Sequence, residues 1–303
     1  MDFIFTLIGA TLRISTPILF AALGETIIER SGVLNLGIEG TMMMSAFVGF
    51  FAAQTTGSLF VGLIAAILTG IALNLLMGFL SVTLGLNQHV SGLGITLFAT
   101  GLALFLFRQV YAGQQTPPSL PESFPQLSIF TGTTLAPVFS QYTLTYFALL
   151  CVPLVAWMLN RTAFGLRLRA VGESPEAADM AGINVYRMRY AALIIGGIFM
   201  GISGAFLSLA QLGAFSQGII NGRGWVAIAI VIFGNWSAFK VLGGALLFGA
   251  LQALQLRLQA EGVALPYELL LALPYIITII VLAITGRNAS YPGALLKPYR
   301  REG

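Results

Sequence analysis

The chain has 303 residues, of which 57% are hydrophobic and only 9% are charged. Soluble domains carry about 25% charged residues, so this composition excludes a soluble globular protein. It predicts an all-α polytopic membrane protein that forms a single transmembrane domain over residues 1–303. The net charge of +4 requires no nucleic-acid partner, because basic loops on the cytoplasmic side of the bilayer account for it.

The first hydrophobic run covers residues 3–23 and is predicted to be a span. It lacks the basic start and the small-residue cleavage site of a signal peptide. Arg13 interrupts it, and an arginine at membrane depth must contact protein or water. In the following segment, residues 24–32, Glu25 and Glu29 are four positions apart and therefore share one helix face.

The second hydrophobic run opens with the unusual sequence GVLNLGIEG at residues 32–40. Glycines there allow an irregular backbone, which is tolerated at membrane depth only against protein or a water-filled path. Asn35 and Glu39 are therefore candidate residues of a solute pathway. Two structural alternatives remain open: Glu39 could pair with Arg13 or end a span, and Asn35 could satisfy the backbone of a broken helix.

Two ordinary spans are predicted next, over residues 58–80 and 90–111. Thr96 and Thr100 lie four positions apart in the second of them and are candidate wall residues of the pathway, although hydrogen bonding between helices is the commoner use of such threonines. Residues 112–142 contain five prolines and no lysine or arginine, which predicts an external loop.

Residues 161–189 carry five arginines and three acidic residues between long hydrophobic runs. A segment with this much charge cannot lie in hydrocarbon, and its excess of arginine places it in the cytoplasm. We therefore predict a cytoplasmic loop over residues 161–189, with a hydrophobic span on each side.

A short helix is predicted inside this loop. Ser174 can cap its N-terminus, and Pro175 suits the first helical position. Glu176 and Asp179 lie near the positive end of the helix dipole, and Gly182 can adopt the left-handed conformation that ends a helix. The result is about two turns of helix, which is either an ordinary connecting segment or a docking element for a soluble partner.

The second half of the chain contains another interrupted hydrophobic element. Gly197 and Gly201 form a GxxxG pair, which favours close helix packing. The apolar stretch 226–234 is too short to cross a bilayer unless it begins near Gly222. Interrupted elements in both halves of a chain point to a transport site between repeats.

Three polar or aromatic residues near this second element are further pathway candidates: Gln211, Arg223 and Trp225. Trp225 can stack on a base, and Arg223 can line an outer opening with it, but a role as interfacial anchors is the alternative. Two further spans, over residues 241–256 and 267–285, precede a basic tail. Alternating outward from the cytoplasmic loop gives about nine transmembrane helices, some of them broken or re-entrant.

Sequence motifs for catalysis are absent. The two lysines, Lys240 and Lys297, do not follow a P-loop pattern, and a single histidine excludes HExxH. No GxSxG occurs, and one cysteine with one histidine cannot build a Cys/His metal cluster. We therefore predict no catalytic residue and no metal site, whereas the polar residues inside spans suit passage of an uncharged polar solute.

Two stretches together resemble a known family. Glu29–Phe47, ERSGVLNLGIEGTMMMSAF, resembles the signature of the membrane subunits of nucleoside ABC importers. Gly165–Arg189 is similar to their cytoplasmic coupling loop. Within the superfamily of branched-chain amino acid and ribose permeases, the chain looks most like the shorter of two permeases that work with a lipoprotein of the basic-membrane-protein type.

This resemblance implies an ABC importer permease fold in a bacterial plasma (inner) membrane. It also implies a second, longer permease as partner in a heterodimer (a homodimer being possible), an extracytoplasmic substrate-binding lipoprotein, and a cytoplasmic ABC ATPase. That ATPase would hydrolyse ATP, so this chain would bind no cofactor itself. The implied contacts with the ATPase are Glu173, Ser174, Pro175, Glu176, Ala177, Ala178, Asp179, Met180, Ala181 and Gly182.

Nucleosides are the solute that the resemblance favours. The same machinery importing a monosaccharide or a branched-chain amino acid remains an alternative. Alternatives of another class are a membrane enzyme, which lacks a visible nucleophile and base, and an ATP-independent channel or transporter.

Overall fold

The computed structural model describes residues 2–112, 118–127, 130, 132–261, 266–285 and 290–300. These residues form a bundle of helices with one small antiparallel strand pair, β1 (Gln126–Leu127) and β2 (Gln141–Tyr142). The helices are α1 (Asp2–Glu29), α2 (Ile38–Thr56), α3 (Leu59–Gly78), α4 (Gln88–Val110), α5 (Ala136–Phe139), α6 (Thr143–Arg161), α7 (Ala163–Glu173), α8 (Pro175–Met180), α9 (Val185–Ala205), α10 (Arg223–Phe233), α11 (Ala238–Ala260) and α12 (Tyr267–Thr285). Two helices continue into π-helical turns, α3 through Phe79–Thr83 and α9 through Phe206–Gln211.

Six helices within the described residues are long and apolar enough to cross a membrane. They are α1, α3, α4, α6, α9 and α11. α10 is too short on its own, as expected from the sequence, because 11 residues of helix cover only about 16 Å. The predicted all-α membrane fold is confirmed, whereas the predicted count of about nine crossings is not.

The core of the bundle is α9, which packs on α1, α2 and α3. The predicted close packing at Gly197 and Gly201 is present against α3. A Cβ atom added to Gly70 of α3 would lie 2.2 Å from the carbonyl oxygen of Gly197 and 2.9 Å from the amide nitrogen of Gly201. The two backbones are therefore in direct contact, and glycine is required at this crossing.

The predicted external loop contains more structure than its composition suggested. Its described part includes β1, α5 and β2, while residues 113–117, 128–129 and 131 lie outside the described residues. Phe124 donates its amide hydrogen to the carbonyl oxygen of Leu209 at 3.0 Å, so the loop packs back onto the π turn that continues α9. The loop therefore covers one end of the bundle.

The opposite end carries α7, α8 and the segment 290–300, packed against the turn that follows α1. A Cβ atom added to Gly172 would lie 2.2 Å from the carbonyl oxygen of Arg30. The amide nitrogen of Ala294 donates to the carbonyl oxygen of Gly172 at 2.8 Å. We call this the basic end of the bundle, because it carries the arginines of the 161–189 segment together with Arg30 and Arg300.

Candidate functional site

The helix predicted between Ser174 and Gly182 is confirmed as α8. The hydroxyl of Ser174 accepts a hydrogen bond from the amide of Ala177 at 3.4 Å, and Pro175 occupies the first helical position. Gly182 ends the helix with φ of +81°, and the amide of Ile183 donates to the carbonyl oxygen of Ala178 at 2.9 Å. This pattern satisfies the last carbonyl groups, so local sequence signals define both ends of α8.

α8 is attached to the bundle by one side only. Pro175 and Ala178 are buried, whereas the side chain of Met180 is 85% exposed. The exposed residues among those predicted to contact an ATPase are Glu173, Glu176, Ala177, Met180, Ala181 and Gly182, and Ser174 and Asp179 are half-buried. Methionine is enriched at protein interfaces, so the exposed Met180 is suited to contact another protein.

The preceding helix, α7, was not predicted. Its N-terminus is capped by Thr162, whose hydroxyl accepts from the amide of Gly165 at 3.1 Å. Thr162 was therefore a local signal for this helix.

Burial, with a smaller contribution from the neighbouring Arg169 guanidinium, lowers the pKa of Arg30, which donates to the carbonyl oxygens of Asn235 and Trp236 at 3.4 Å.

Asn35 organises the first interrupted segment, residues 32–40, and is 1% exposed. Its amide nitrogen donates to Glu25 Oε1 at 2.9 Å, and its side-chain Nδ2 donates to Asn74 Oδ1 at 2.9 Å. Its Oδ1 accepts from the amide of Gly37 at 2.9 Å. These bonds occupy the amide side chain, so the structure supports the alternative in which Asn35 satisfies a broken-helix backbone.

Thr96 has a similar supporting position. Its hydroxyl donates to the carbonyl oxygen of Leu36 at 2.8 Å, which fixes α4 to the first interrupted segment. Thr100 lies one turn later on α4 and is half-buried. The two threonines lie on one helix. The hydroxyl of Thr96 is used in packing between segments, because it is bonded to the backbone of Leu36 rather than left to face a solute path.

Glu39 joins the two interrupted elements, residues 32–40 and residues 221–234. Its Oε1 accepts from the amide of Gly222 at 2.8 Å, and its Oε2 accepts from the amide of Gly224 at 2.7 Å. The carboxylate therefore caps the start of α10 while lying in the first turn of α2. The alternative pairing of Glu39 with Arg13 is wrong, because no ion pair joins them within the described residues and the amides of Gly222 and Gly224 bond to the two carboxylate oxygens.

The helix that Glu39 caps, α10, is short for a membrane protein. α10 covers about 16 Å along its axis before the turn at Trp236, which belongs to the basic end. The hydrocarbon layer is about 30 Å thick, so α10 alone covers only about half of it. Helix N-termini that begin at membrane depth present positive dipole ends to a site, which is the arrangement of many solute pathways.

Gln211 and Arg223 meet at a cleft of about 230 Å³ toward the end of the bundle that lies opposite the basic end. Ser216 and Asn221 also line this cleft. Arg223 Nη1 donates to the carbonyl oxygens of Ile219 and Ile220 at 2.9 and 3.1 Å. Its buried Nε has no hydrogen-bond partner within the described residues. The cleft therefore combines two side-chain amides, a hydroxyl and a guanidinium group, which are suited to a hydroxyl-rich solute.

The candidate pathway residues are thus not gathered in one pocket. Gln211 and Arg223 share a cleft, and Glu39 of α2 contacts the start of α10, the helix that begins with Arg223. Asn35 and Thr96 belong to the packing of the first interrupted segment. Trp225 is 39% exposed and is not among the residues that line this cleft.

Several residues that organise the site were not assigned from the sequence. Glu25 and Glu29 are fully buried, and Glu29 Oε2 accepts from the indole nitrogen of Trp236 at 2.6 Å. Arg189 is also fully buried and donates from Nε to the carbonyl oxygen of Ser31 at 3.3 Å. The signal for the two glutamates was their shared helix face at the end of a hydrophobic run.

The six long apolar helices define a multi-pass membrane protein. Residues 7–282 match the family described as branched-chain amino acid transport system / permease component. The chain belongs to this family, and it is a permease of an ABC transporter.

Individual relatives cover nearly the whole chain. It is 39% identical to TsgC13 of Haloferax volcanii, named as a glucose ABC transporter permease, over 100% of this chain and 99% of that protein. It is 35% identical to the guanosine ABC transporter permease NupQ of Bacillus subtilis, over 97% of this chain and 96% of NupQ. A second guanosine permease of that organism, NupP, is 27% identical over 93% of this chain and 82% of NupP.

A solved structure has the same fold. It is described as an inward-facing conformation of a metal-chelate type ABC transporter, and it is similar with a TM-score of 0.52 at 17% identity. The similarity covers 92% of this chain and 85% of the other. At this identity it supports the ABC permease fold alone.

Proposed function

We propose that this chain is a permease subunit of an ATP-driven importer of nucleosides, with α8 as the helix that docks a cytoplasmic ATPase. The observation that carries the proposal is the geometry of α8 in a chain of this family. The helix is capped at both ends and anchored by Pro175 and Ala178, and it exposes Met180 and Glu176.

The coupling role follows from this attachment. A short, capped helix with one buried side transmits a push from a bound protein without deforming, because its own ends are hydrogen-bonded. The basic end that carries α8 is the cytoplasmic end, since arginine-rich segments remain inside. The protein would then lie in the plasma (inner) membrane, with ATP hydrolysed by the partner rather than by this chain.

The solute path is proposed to run beside the joined interrupted elements. Gln211 and Arg223 supply donors and acceptors in the cleft of about 230 Å³, and Glu39 holds the start of α10 beside it. Trp225 and Thr100 are proposed to face the same path nearer the partner permease. Asn35 and Thr96 then act indirectly, by holding the first interrupted segment.

Nucleosides are favoured as the solute because the Glu29–Phe47 stretch resembles that branch, and because NupQ carries a guanosine name. The name of TsgC13 keeps glucose as the second candidate. Both solutes contain a sugar ring that bears hydroxyl groups, and these groups suit the hydrogen-bond donors and acceptors of the cleft. A second, longer permease and an extracytoplasmic binding lipoprotein complete the proposed importer, and the matches to both NupQ and NupP support a permease pair.

Measurements on the reconstituted transporter test the proposal. The Met180→Glu variant places a charge on the exposed side of α8, and Glu122→Lys, at an exposed position in the loop at the other end, is the control. We expect ATP-dependent uptake of labelled guanosine, and recovery of the ATPase with the permease, to be lost only for Met180→Glu. Unchanged uptake and ATPase recovery in that variant would contradict the docking role, and competition by glucose rather than guanosine would reassign the solute.

A further inference from the structure

We propose that residues 290–300 form a second docking element for the ATPase, which we call the strap. The strap is the wall of a cleft beside α8 and links that cleft to both interrupted membrane elements. This inference rests on the proposed function of α8, and it adds a part of the chain that neither the resemblance nor the sequence patterns assigned.

The strap supports α8 from behind. The amide of Gly293 donates to Glu173 Oε2 at 3.2 Å, immediately before α8, and the amide of Ala294 donates to the carbonyl oxygen of Gly172 at 2.8 Å. Tyr299 is only 6% exposed and packs in one cluster with Ala178, the buried residue of α8. Displacement of α8 would therefore displace the strap.

A buried arginine connects the strap to the first interrupted element. Arg189 donates from Nε to the carbonyl oxygen of Ser31 and from Nη2 to the carbonyl oxygen of Lys297, at 3.3 and 3.5 Å. Ser31 lies in the turn between α1 and that element. Arg189 is fully buried and its contact with Ser31 is shielded from water, which strengthens that contact.

The other end of the strap contacts the turn that follows α10. The amide of Ser290 donates to Asn235 Oδ1 at 2.9 Å, and the ring of Tyr291 lies edge-on to the ring of Trp236 with centroids 5.0 Å apart. Asn235 and Trp236 both have positive φ, at +51° and +53°. Consecutive non-glycine residues in this region are strained, so packing from the strap helps to hold the turn.

The cleft between α8 and the strap has a volume of about 590 Å³. Glu176 and Met180 line one wall, Pro298 and Arg300 line the other, and Gly85 closes one side. No ion pair joins Glu176 to Arg300 within the described structure. The occupant that fits is a loop of the ATPase with an apolar side chain for Met180 and Pro298, and with opposite charges for Glu176 and Arg300.

Charge reversal on the strap is the direct test. Arg300→Glu alters the cleft wall, and Lys240→Glu alters an exposed basic residue at the start of α11 outside the cleft. In the complete transporter, we expect Arg300→Glu to weaken ATPase association about tenfold and Lys240→Glu to leave it unchanged. Equal association of both variants would overturn the inference.

Cross-linking gives a readout that does not depend on stability. The natural Cys151 is buried, so Arg300→Cys and Lys240→Cys introduce single accessible thiols. A short bifunctional reagent should join position 300, but not position 240, to the ATPase. If Met180→Glu abolishes ATPase association while position 300 neither cross-links nor responds to charge reversal, only the strap inference fails; if Met180→Glu has no effect, the proposed docking function itself fails.

Discussion

The indole Nε1 of Trp236 donates a 2.6 Å hydrogen bond to Oε2 of Glu29, across 207 positions of sequence. Glu29 is the last residue of α1, and Trp236 lies in the turn between α10 and α11. Both side chains are buried, so the bond forms away from water. It fixes the end of the first span to the end of the second interrupted element.

Replacement of this tryptophan tests the bond. Trp236→Phe keeps most of the ring but leaves a buried carboxyl oxygen without its donor, which costs about 1–3 kcal/mol in the free energy of unfolding. Unfolding of the purified chain in mixed detergent measures the change. Trp225→Phe is the control, because Trp225 is 39% exposed, and it should change stability by less than about 0.5 kcal/mol. Equal effects of the two variants would show that the Glu29 contact contributes nothing.

Glu39 is predicted to act through the start of α10. Glu39→Ala removes the acceptor of two amide hydrogens, at Gly222 and Gly224, and should lower the unfolding free energy by about 2 kcal/mol or more. Glu39→Gln keeps one acceptor oxygen and should fall between wild type and alanine. Glu122→Gln, at an exposed loop position, should have no effect on stability or uptake. A stable Glu39→Ala variant that has lost only solute affinity would instead indicate direct contact with the solute.

The crossing of α3 and α9 predicts opposite effects at two helical glycines. A Cβ atom at Gly70 would lie 2.2 Å from the carbonyl oxygen of Gly197, so Gly70→Ala should destabilise the chain by about 1–3 kcal/mol. Gly94 on α4 has no atom within 4 Å of the same position, so Gly94→Ala should stabilise it by about 0.5–1 kcal/mol through helix propensity. Thermal unfolding in detergent distinguishes the signs, and a neutral Gly70→Ala would exclude backbone contact at this crossing.

The left-handed backbone conformation of Gly182, rather than packing around it, should determine where α8 ends. Its φ is +81° and no atom lies within 4 Å of an added Cβ, so Gly182→Ala introduces backbone strain of about 1–2 kcal/mol without a clash. Asparagine tolerates this conformation better and should cost less. Hydrogen exchange of a peptide spanning residues 174–184 should be fastest in the alanine variant. Identical exchange in the two variants would mean that the helix end does not need the left-handed conformation.

Features defined by neighbouring residues were predictable from the sequence. Ser174, Pro175 and Gly182 act within a few positions of one another, so the boundaries of α8 followed from capping rules. The hydrophobic runs and the glycine pair at Gly197 and Gly201 predicted the membrane class and its close packing in the same way. α7 was equally predictable from its N-cap, Thr162, although it lies in a segment dominated by charged residues.

Contacts between distant segments were not predictable. Glu39 contacts Gly222 across 183 positions, and only the assembled bundle shows that its partners are backbone amides rather than Arg13. Arg189 reads as one more basic residue of a charged segment, yet it is fully buried by the strap and by the turn after α1. A single sequence contains the residue types at such positions but not which of them meet.

The backbone contact between α3 and α9 has a consequence for transport. Helices that touch at Gly70, Gly197 and Gly201 cannot slide past one another without first separating, so we expect them to travel as one block through the transport cycle. The bending then falls on the interrupted stretches, where Gly32, Asn221 and Asn235 already hold positive φ angles. Spin labels on the block should keep a constant mutual distance, while labels across those stretches should report two distances with and without ATP.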